Sequence, residues 1–341
     1  MAFIAGDIGG TKSWLAWVGS DSSGEQQLRF EKVYASANFA SVEALLQQFM
    51  RDARLNPPLD MLILAVPGPV LNQRAALTNL AWTLDAPTLQ QALGIPGVRI
   101  INDFQAAAAG VATLTDADVI ALNHGTSEPG GVRVITGAGT GLGLAFMLPD
   151  AHGRYQSFAT EGGHVDFAPA NAMQTRLLDY LRVRYGHVSW ERVASGSAMH
   201  DLYCFCCIEH KQTLPAEAVD GAMLGVRAEA GDEAAESALD LFIELYGVWV
   251  GNLALLYQPW GGLYIAGGVS GHLQTRMQSP RFMDAALDKG RMRSVVERTP
   301  IALITCNRLG VQGAIASAIP DTFGFDRNTM NSNTEKTRSG P

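Results

Sequence analysis

Residues 3–18 read FIAGDIGGTKSWLAWV, two apolar runs separated by Asp7-Ile8-Gly9-Gly10-Thr11-Lys12. Short apolar runs on either side of a Gly pair predict strand, tight turn, strand. The turn is not a Walker A loop, which needs Gly before its Lys and a helix after it. Here Thr11 precedes Lys12, and SWLAWV favours a strand. The same plan returns at residues 132–147, VRVITGAGTGLGLAFM, so the chain reads as an internal duplication. Gly137, Gly139, Gly141 and Gly143 fit no G-x-G-x-x-G register, and no ribose-binding acid is well placed about 20 residues on, which argues against a dinucleotide fold. A third element, Ala266-Gly267-Gly268, ends the run LYIAG. Taken singly, each reads equally well as a plain hairpin or strand-to-helix turn. Taken together, the two Gly-Thr turns suit phosphate oxygens through bare N–H groups and hydroxyls, and the AGG strand end lets a flat ring approach the backbone.

A chain of 341 residues predicts two domains, or one core with a large insertion. Hydrophobic residues make up 47% and charged residues 17%, ordinary for a globular protein and far from the signature of disorder. A formal net charge of -8 supplies no long-range attraction to nucleic acid or anionic lipid, so neither is expected as a partner. Four Cys, three of them crowded at Cys204, Cys206 and Cys207, form no disulfide framework. With His200 and His210 they tempt a metal assignment, but crowding on one helix fits no C-x-x-C spacing, and buried thiols are expected. The first residues lack the basic start of a signal peptide, which predicts a cytoplasmic protein. Residues 245–271 carry no charge and are long enough to span a bilayer, yet Asn252, Gln258 and Pro259 break them. They read as a buried helix through Tyr257, a turn, and the LYIAG strand.

Elsewhere strands and helices alternate in α/β fashion. A helix around 41–55 is followed by a strand at 61–68, a helix at 86–94, a strand VRIIND at 98–103 and a helix at 104–114. After VIALN at 119–123 and the second glycine hairpin, helices dominate at 173–186, 198–210 and 233–257, and PIALITC at 300–306 is the last strand read. Residues 326–341 have no apolar periodicity and are expected to be a disordered tail.

Three polar clusters remain. VRIIND ends in Asn102-Asp103, at the strand edge where α/β sheets place ligand groups, although Asn-Asp there also serves as a turn and helix cap. Glu161-Gly162-Gly163-His164 sets a carboxylate and an imidazole around two glycines, and Glu191 lies in HVSWERVASG; both clusters offer hydrogen bonds suited to vicinal hydroxyls. In isolation each is equally a solvated or helix-start residue.

The glycine elements resemble the two phosphate turns and adenosine element of the actin, Hsp70 and hexokinase superfamily. GDIGGT, TNLAWTLD, IINDF, GAGTGLG, EGGHVDFAP, GHVSWERVASG, GNLALL and IAGG, in this order, resemble the bacterial glucokinases over nearly the whole chain to about Phe325. The resemblance implies an α/β, two-domain actin-like ATPase (ribonuclease H-like) fold, with a cleft between a small domain at 1–107 plus about 303–325 and a large domain at 108–302. It implies ATP-dependent phosphorylation of D-glucose to glucose 6-phosphate, with Asp103 as the base, Asn102, Asp103, Glu161, His164 and Glu191 on glucose, and a homodimeric assembly. Gly6, Asp7, Ile8, Gly9, Gly10, Thr11, Gly137, Ala138, Gly139, Thr140 and Gly141 would hold the ATP phosphates, with Gly267 and Gly268 near adenosine. Mg²⁺ is expected to ride on the nucleotide, with no protein ligand fixing it and Asp7 touching it through water. Lys12 in DIGGTK looks like the broader ROK group of sugar kinases and repressors, whose Cys-Gly-His zinc signature is absent. The alternatives are a kinase for another hexose or N-acetylhexosamine, or a non-catalytic sugar- or nucleotide-responsive regulator. No helix-turn-helix precedes the first turn, which argues against a repressor.

Overall fold

A computed structural model describes residues 1–21, 25–55, 58–77 and 80–318. The proposed tail at 326–341 lies outside them. The first glycine hairpin joins β1 (Ala2–Ile8) to β2 (Lys12–Ser20), and β3 (Gln26–Ala35) continues the meander. Next come α1 (Val42–Asp52), β4 (Met61–Val66), a small ribbon of β5 (Arg74–Ala76) and β6 (Thr83–Asp85), α2 (Ala86–Leu93), β7 (Gly97–Asn102) and α3 (Asp103–Gly110). The five main strands form one sheet in the order β3-β2-β1-β4-β7, antiparallel in its first half and parallel in its second.

The plan then repeats. After β8 (Val119–Asn123), the second hairpin joins β9 (Arg133–Ala138) to β10 (Leu142–Pro149), and β11 (Tyr155–Thr160) completes a meander. The helices α4 (Ala172–Tyr185), α5 (Met199–Glu209), α6 (Gly221–Glu229) and α7 (Glu233–Tyr257) precede β12 (Gly262–Ala266). Short helices α8 (Gly268–His272), α9 (Gln274–Met277), α10 (Pro280–Leu287) and α11 (Arg293–Arg298) lead to β13 (Ile301–Ile304) and α12 (Leu309–Ala318). The second sheet runs β11-β10-β9-β12-β13-β8, with β9, β12 and β13 parallel. Its first five strands reproduce the first sheet, so the duplication read from the two hairpins holds at the level of topology. The eighth strand has no counterpart: it pairs antiparallel with β13 at the outer edge.

Each sheet has its own core. Ile4, Leu15, Leu45, Phe49, Leu62 and Leu64 anchor the first, and α7 anchors the second through Leu239, Phe242, Tyr246, Trp249 and Leu253, all buried. Among the described residues α7 alone is long and apolar enough to cross a membrane, and most of it lies inside the second core. Residues 309–318, left without an element in the sequence reading, form α12, which packs on α3, β1 and β4. A Cβ on Gly313 would overlap the Ala106 carbonyl, and one on Gly110 would overlap that of Leu309. The two helix backbones therefore touch, and α3 and α12 form one rigid pair. Strands β3 and β11 also escaped the sequence reading; β3 is largely exposed and shows no clean alternation of buried residues.

Candidate active site

Each glycine hairpin is held by hydrogen bonds to a segment distant in sequence. In the first hairpin, Gly9 N–H donates to Lys12 O at 3.1 Å, closing a turn in which Thr11 is exposed. Ser36, at the end of β3, buttresses it: its N–H donates to Thr11 O, and its hydroxyl donates to Gly9 O at 2.7 Å. In the second hairpin, Gly139 N–H donates to Gly141 O, and the ERVASG segment is tied to the turn by Gly196 N–H donating to Gly139 O at 2.7 Å. A Cβ on Gly139 would meet nothing within 4 Å, so this turn faces open space. Gly268 is equally open. Gly267 lies at φ 97°, a conformation suited to glycine, with Ala138 O where a Cβ would stand. The remaining glycines serve packing: Gly6 sits between Leu15 and Leu64, Gly137 beside Ala266, and Gly143 makes room for the Phe104 ring. Gly141 makes room for the Glu191 carboxylate.

The sugar-set residues come from both halves of the chain. Asn102 caps α3: its Oδ1 accepts from Phe104 N–H at 2.9 Å and Gln105 N–H at 3.1 Å, while its Nδ2 donates to Gly68 O. Asn102 thus serves as the cap of α3. Asp103 opens α3, its Oδ1 accepting from Phe104 N–H at 2.8 Å. Across from it, Gly163 allows the 162–164 turn to press onto the Leu142 carbonyl. Trp190 N–H donates to Val165 O and Phe167 N–H to Val188 O, laying GHVD beside HVSWER. The result gathers three side chains: His164 Nε2 lies 3.9 Å from Glu161 Oε2 and 4.0 Å from Glu191 Oε2. Glu191 Oε2 also accepts from Leu142 N–H at 2.9 Å, so one carboxylate touches both the His164 cluster and the second glycine hairpin.

Electrostatics single out two acids. Burial pushes the Asp103 carboxyl up to about 7, with the negative charges of Asp7 and, more weakly, Glu161 adding to the rise. Burial likewise pushes Asp7 up to about 6 against the pull of Lys12. A Cβ on Gly310 would overlap the Asp7 carboxylate, so the start of α12 is pressed onto Asp7. Sequence reasoning missed Ser36, Gly310 and Tyr246. The buried Tyr246 hydroxyl accepts from Ala138 N–H at 3.2 Å and lies 3.5 Å from Ser270 Oγ, linking the second hairpin to the AGG element. No local motif marks these residues, because each acts over a long separation in the chain. On α5, Cys204, Cys206 and Cys207 are buried, and burial pushes the Cys206 thiol up to about 12.

The family model named Glucokinase matches residues 4–320. The chain belongs to the glucokinase family. A glucokinase of Nostoc sp. (strain PCC 7120) is 38% identical over 336 residues, covering 92% of this chain and 98% of the relative. The crystal structure of a glucokinase from an Antarctic psychrotroph superposes with TM-score 0.79 at 29% identity, covering 93% of this chain and 98% of that one. A ROK family glucokinase from Streptomyces griseus, solved with glucose and AMPPNP, gives TM-score 0.58 at 20% identity over 94% of this chain and 100% of that one. The two-sheet architecture is thus the two-domain actin-like ATPase fold shared by the glucokinase and ROK kinase structures.

Proposed function

We propose that this glucokinase transfers the γ-phosphoryl group of ATP to the 6-hydroxyl of D-glucose, with Asp103 as general base. The observation that carries the reading is Asp103 itself. It is a half-buried carboxyl raised to about 7, and its proton affinity responds both to Asp7 at the first glycine turn and to Glu161 in the His164 cluster. Such a group can take a proton near neutral pH, where a base is most effective. Glucose lies between Asn102 and Asp103 on one side and Glu161, His164 and Glu191 on the other, the carboxylates accepting from its hydroxyls. ATP phosphates lie along Gly6 to Thr11 and Gly137 to Gly141, with adenosine at Gly267 and Gly268. Within that set the open turn at Gly139 offers closest approach, and Gly6 acts by fixing β1.

Among the described residues no three His, Cys, Asp or Glu side chains converge on a metal position. A nucleotide-borne Mg²⁺ suits this donor set, since Asp7 is a carboxyl raised by desolvation more than Lys12 lowers it, and it can meet the ion through water. When bound, Mg²⁺ supplies charge neutralisation on the phosphates. The protein's share is alignment, exclusion of water and removal of the hydroxyl proton to Asp103 Oδ.

We place the small domain at 1–107 plus about 303–325, of which 319–325 lie outside the described residues, and the large domain at 108–302, supported by α12 packing on β1 and β4. The cytoplasm is the proposed location, in keeping with four free thiols. A homodimer is the proposed assembly, supported by the exposed apolar Leu148, Phe158 and Leu256. A coupled ADP-release assay over glucose, mannose, fructose and N-acetylglucosamine tests the activity. Glucose should give the highest kcat/KM, at least about tenfold above the others; preference for another sugar reassigns the substrate, and no sugar-dependent ADP release removes the reading.

A further inference from the structure

A cavity of about 610 Å³ lies between the α3–α12 pair and the second sheet, at the ends of α3 and β9 farthest from the glycine turns and Asp103. That volume is in the range of small-molecule sites, about 300–1,000 Å³. One wall is made by the α3–α12 pair, through Ala109, Ala112 and Ile315. The other is a row across three adjacent strands, Arg133 of β9, Met147 of β10 and Ser157 of β11. Arg133 pairs with Met147 and Met147 with Ser157 in the two antiparallel ladders, so all three side chains leave the same face.

This apolar cavity carries polar groups whose needs are unmet. Ser157 is 9% exposed, and its hydroxyl has no hydrogen-bond partner among the described residues; neither has the buried Arg133 Nε. The Arg133 guanidinium lies 4.0 Å over the Tyr155 ring, yet no acid among the described residues pairs with it. Arg154 on the rim differs, being held by Asp150 at 3.0 Å. A buried hydroxyl and a buried guanidinium N–H, each without a partner, are costly. An incoming anion with an apolar body would satisfy both.

We propose that this cavity is a second ligand site, taking a small molecule with an apolar body and one carboxylate, the carboxylate paired with Arg133 and accepting from Ser157. Because one wall is the α3–α12 pair and the other the second sheet, and α3 carries Asp103 while β9 carries the second glycine turn, a ligand there fits one arrangement of the helix pair on the sheet better than others. Occupancy therefore changes glucose affinity, and glucose changes ligand affinity by the same factor. This coupling rests on the proposed glucose site; the binding itself does not.

Isothermal titration of the full chain with 4-phenylbutyrate, octanoate and indole-3-acetate, up to about 5 mM so as to reach millimolar affinities, tests the binding. At least one should saturate, with affinity falling about tenfold in Arg133→Met, which keeps the packing volume, and less in Ser157→Ala. The neutral amide of the best ligand should also bind about tenfold more weakly. If none saturates, or if Arg133→Met and the amide leave affinity unchanged, the site is wrong. Repeating the titration with saturating glucose tests the coupling. A shift of about fivefold or more in either direction supports it, whereas binding that is unmoved by glucose while the enzyme turns over overturns the coupling alone.

Discussion

Asp103 and Asp7 are two half-buried carboxyls near enough for the charge of Asp7 to raise Asp103, and the charge of each is held against the preference of the fold. The folded Asp103 sits at about 7 against an ordinary 3.8. Its protonated form is favoured by folding, so its contribution to stability is complete below about 3.8 and is lost as pH rises through about 7. Asp103→Asn should therefore raise Tm at pH 8 by a few degrees, about 2–4 °C for each kcal/mol recovered, and leave Tm at pH 4 almost unchanged. The same variant should keep sugar binding and lose about 10² to 10⁴ in kcat. Wild-type kcat/KM should fall about tenfold per unit below the Asp103 pKa. Calorimetry and a pH–rate profile check all three, and equal stability of the two proteins at pH 8 would count against the buried charge. Glu191 predicts a different pattern. Since its Oε2 holds Leu142 N–H beside the second glycine turn, Glu191→Ala should raise KM for both glucose and ATP, whereas Glu161→Ala should raise that for glucose only. Steady-state kinetics in both substrates separate the two. In the sequence Asp103, Glu161, His164 and Glu191 were legible as polar residues beside glycines and strand ends, but their convergence on one another was not. That convergence depends on the backbone ladder between 165–167 and 188–190, which no spacing announces.

At the level of elements, the glycine hairpins were legible because tight turns between apolar runs are a local property. Helix α12 was not, since LGVQGAIASA has no strong polar face and owes its place to contact with α3. Strand β3, mostly exposed, owes its place to pairing with β2. The hairpins and the helix pair call for different tests. Gly139→Val adds a branched side chain where there is open space, so folding should survive while ATP affinity drops by far more than sugar affinity. Unchanged nucleotide binding in calorimetry would remove Gly139 from the site. Gly313→Ala forces a Cβ onto the Ala106 carbonyl. It should cost about 1–3 kcal/mol in denaturant unfolding, and it should also lower kcat by displacing the N-terminus of α3.

For the whole molecule, the proposed sugar set is divided between the two halves of the chain, so glucose held by every member as proposed would require the halves to close on it. A ligand with that differential affinity shifts the population toward closure, which also keeps water from the phosphoryl group. Glucose without ATP should reduce the radius of gyration in small-angle scattering and protect amides near Asn102 and Glu161 from exchange, with a weaker response in Glu161→Ala. Unaltered scattering and exchange at saturating glucose, in an enzyme that turns over, would rule out the bridging arrangement.

The pairing of α12 with α3, β1 and β4 also bears on how the protein is made. The first sheet leaves the ribosome early, but the helix that covers it is synthesised roughly 200 residues after α3, a delay of about 10–40 s at 5–20 residues per second. Throughout that interval Phe3, Ala5, Ile63 and Ala65, which α12 helps to bury, lack the α12 part of their cover. The nascent first sheet is therefore a natural client for a holding chaperone. Ribosome-bound chains stalled before residue 309 should be protease-sensitive within β1 and β4, and chains stalled well beyond residue 318, with α12 clear of the exit tunnel, should be resistant.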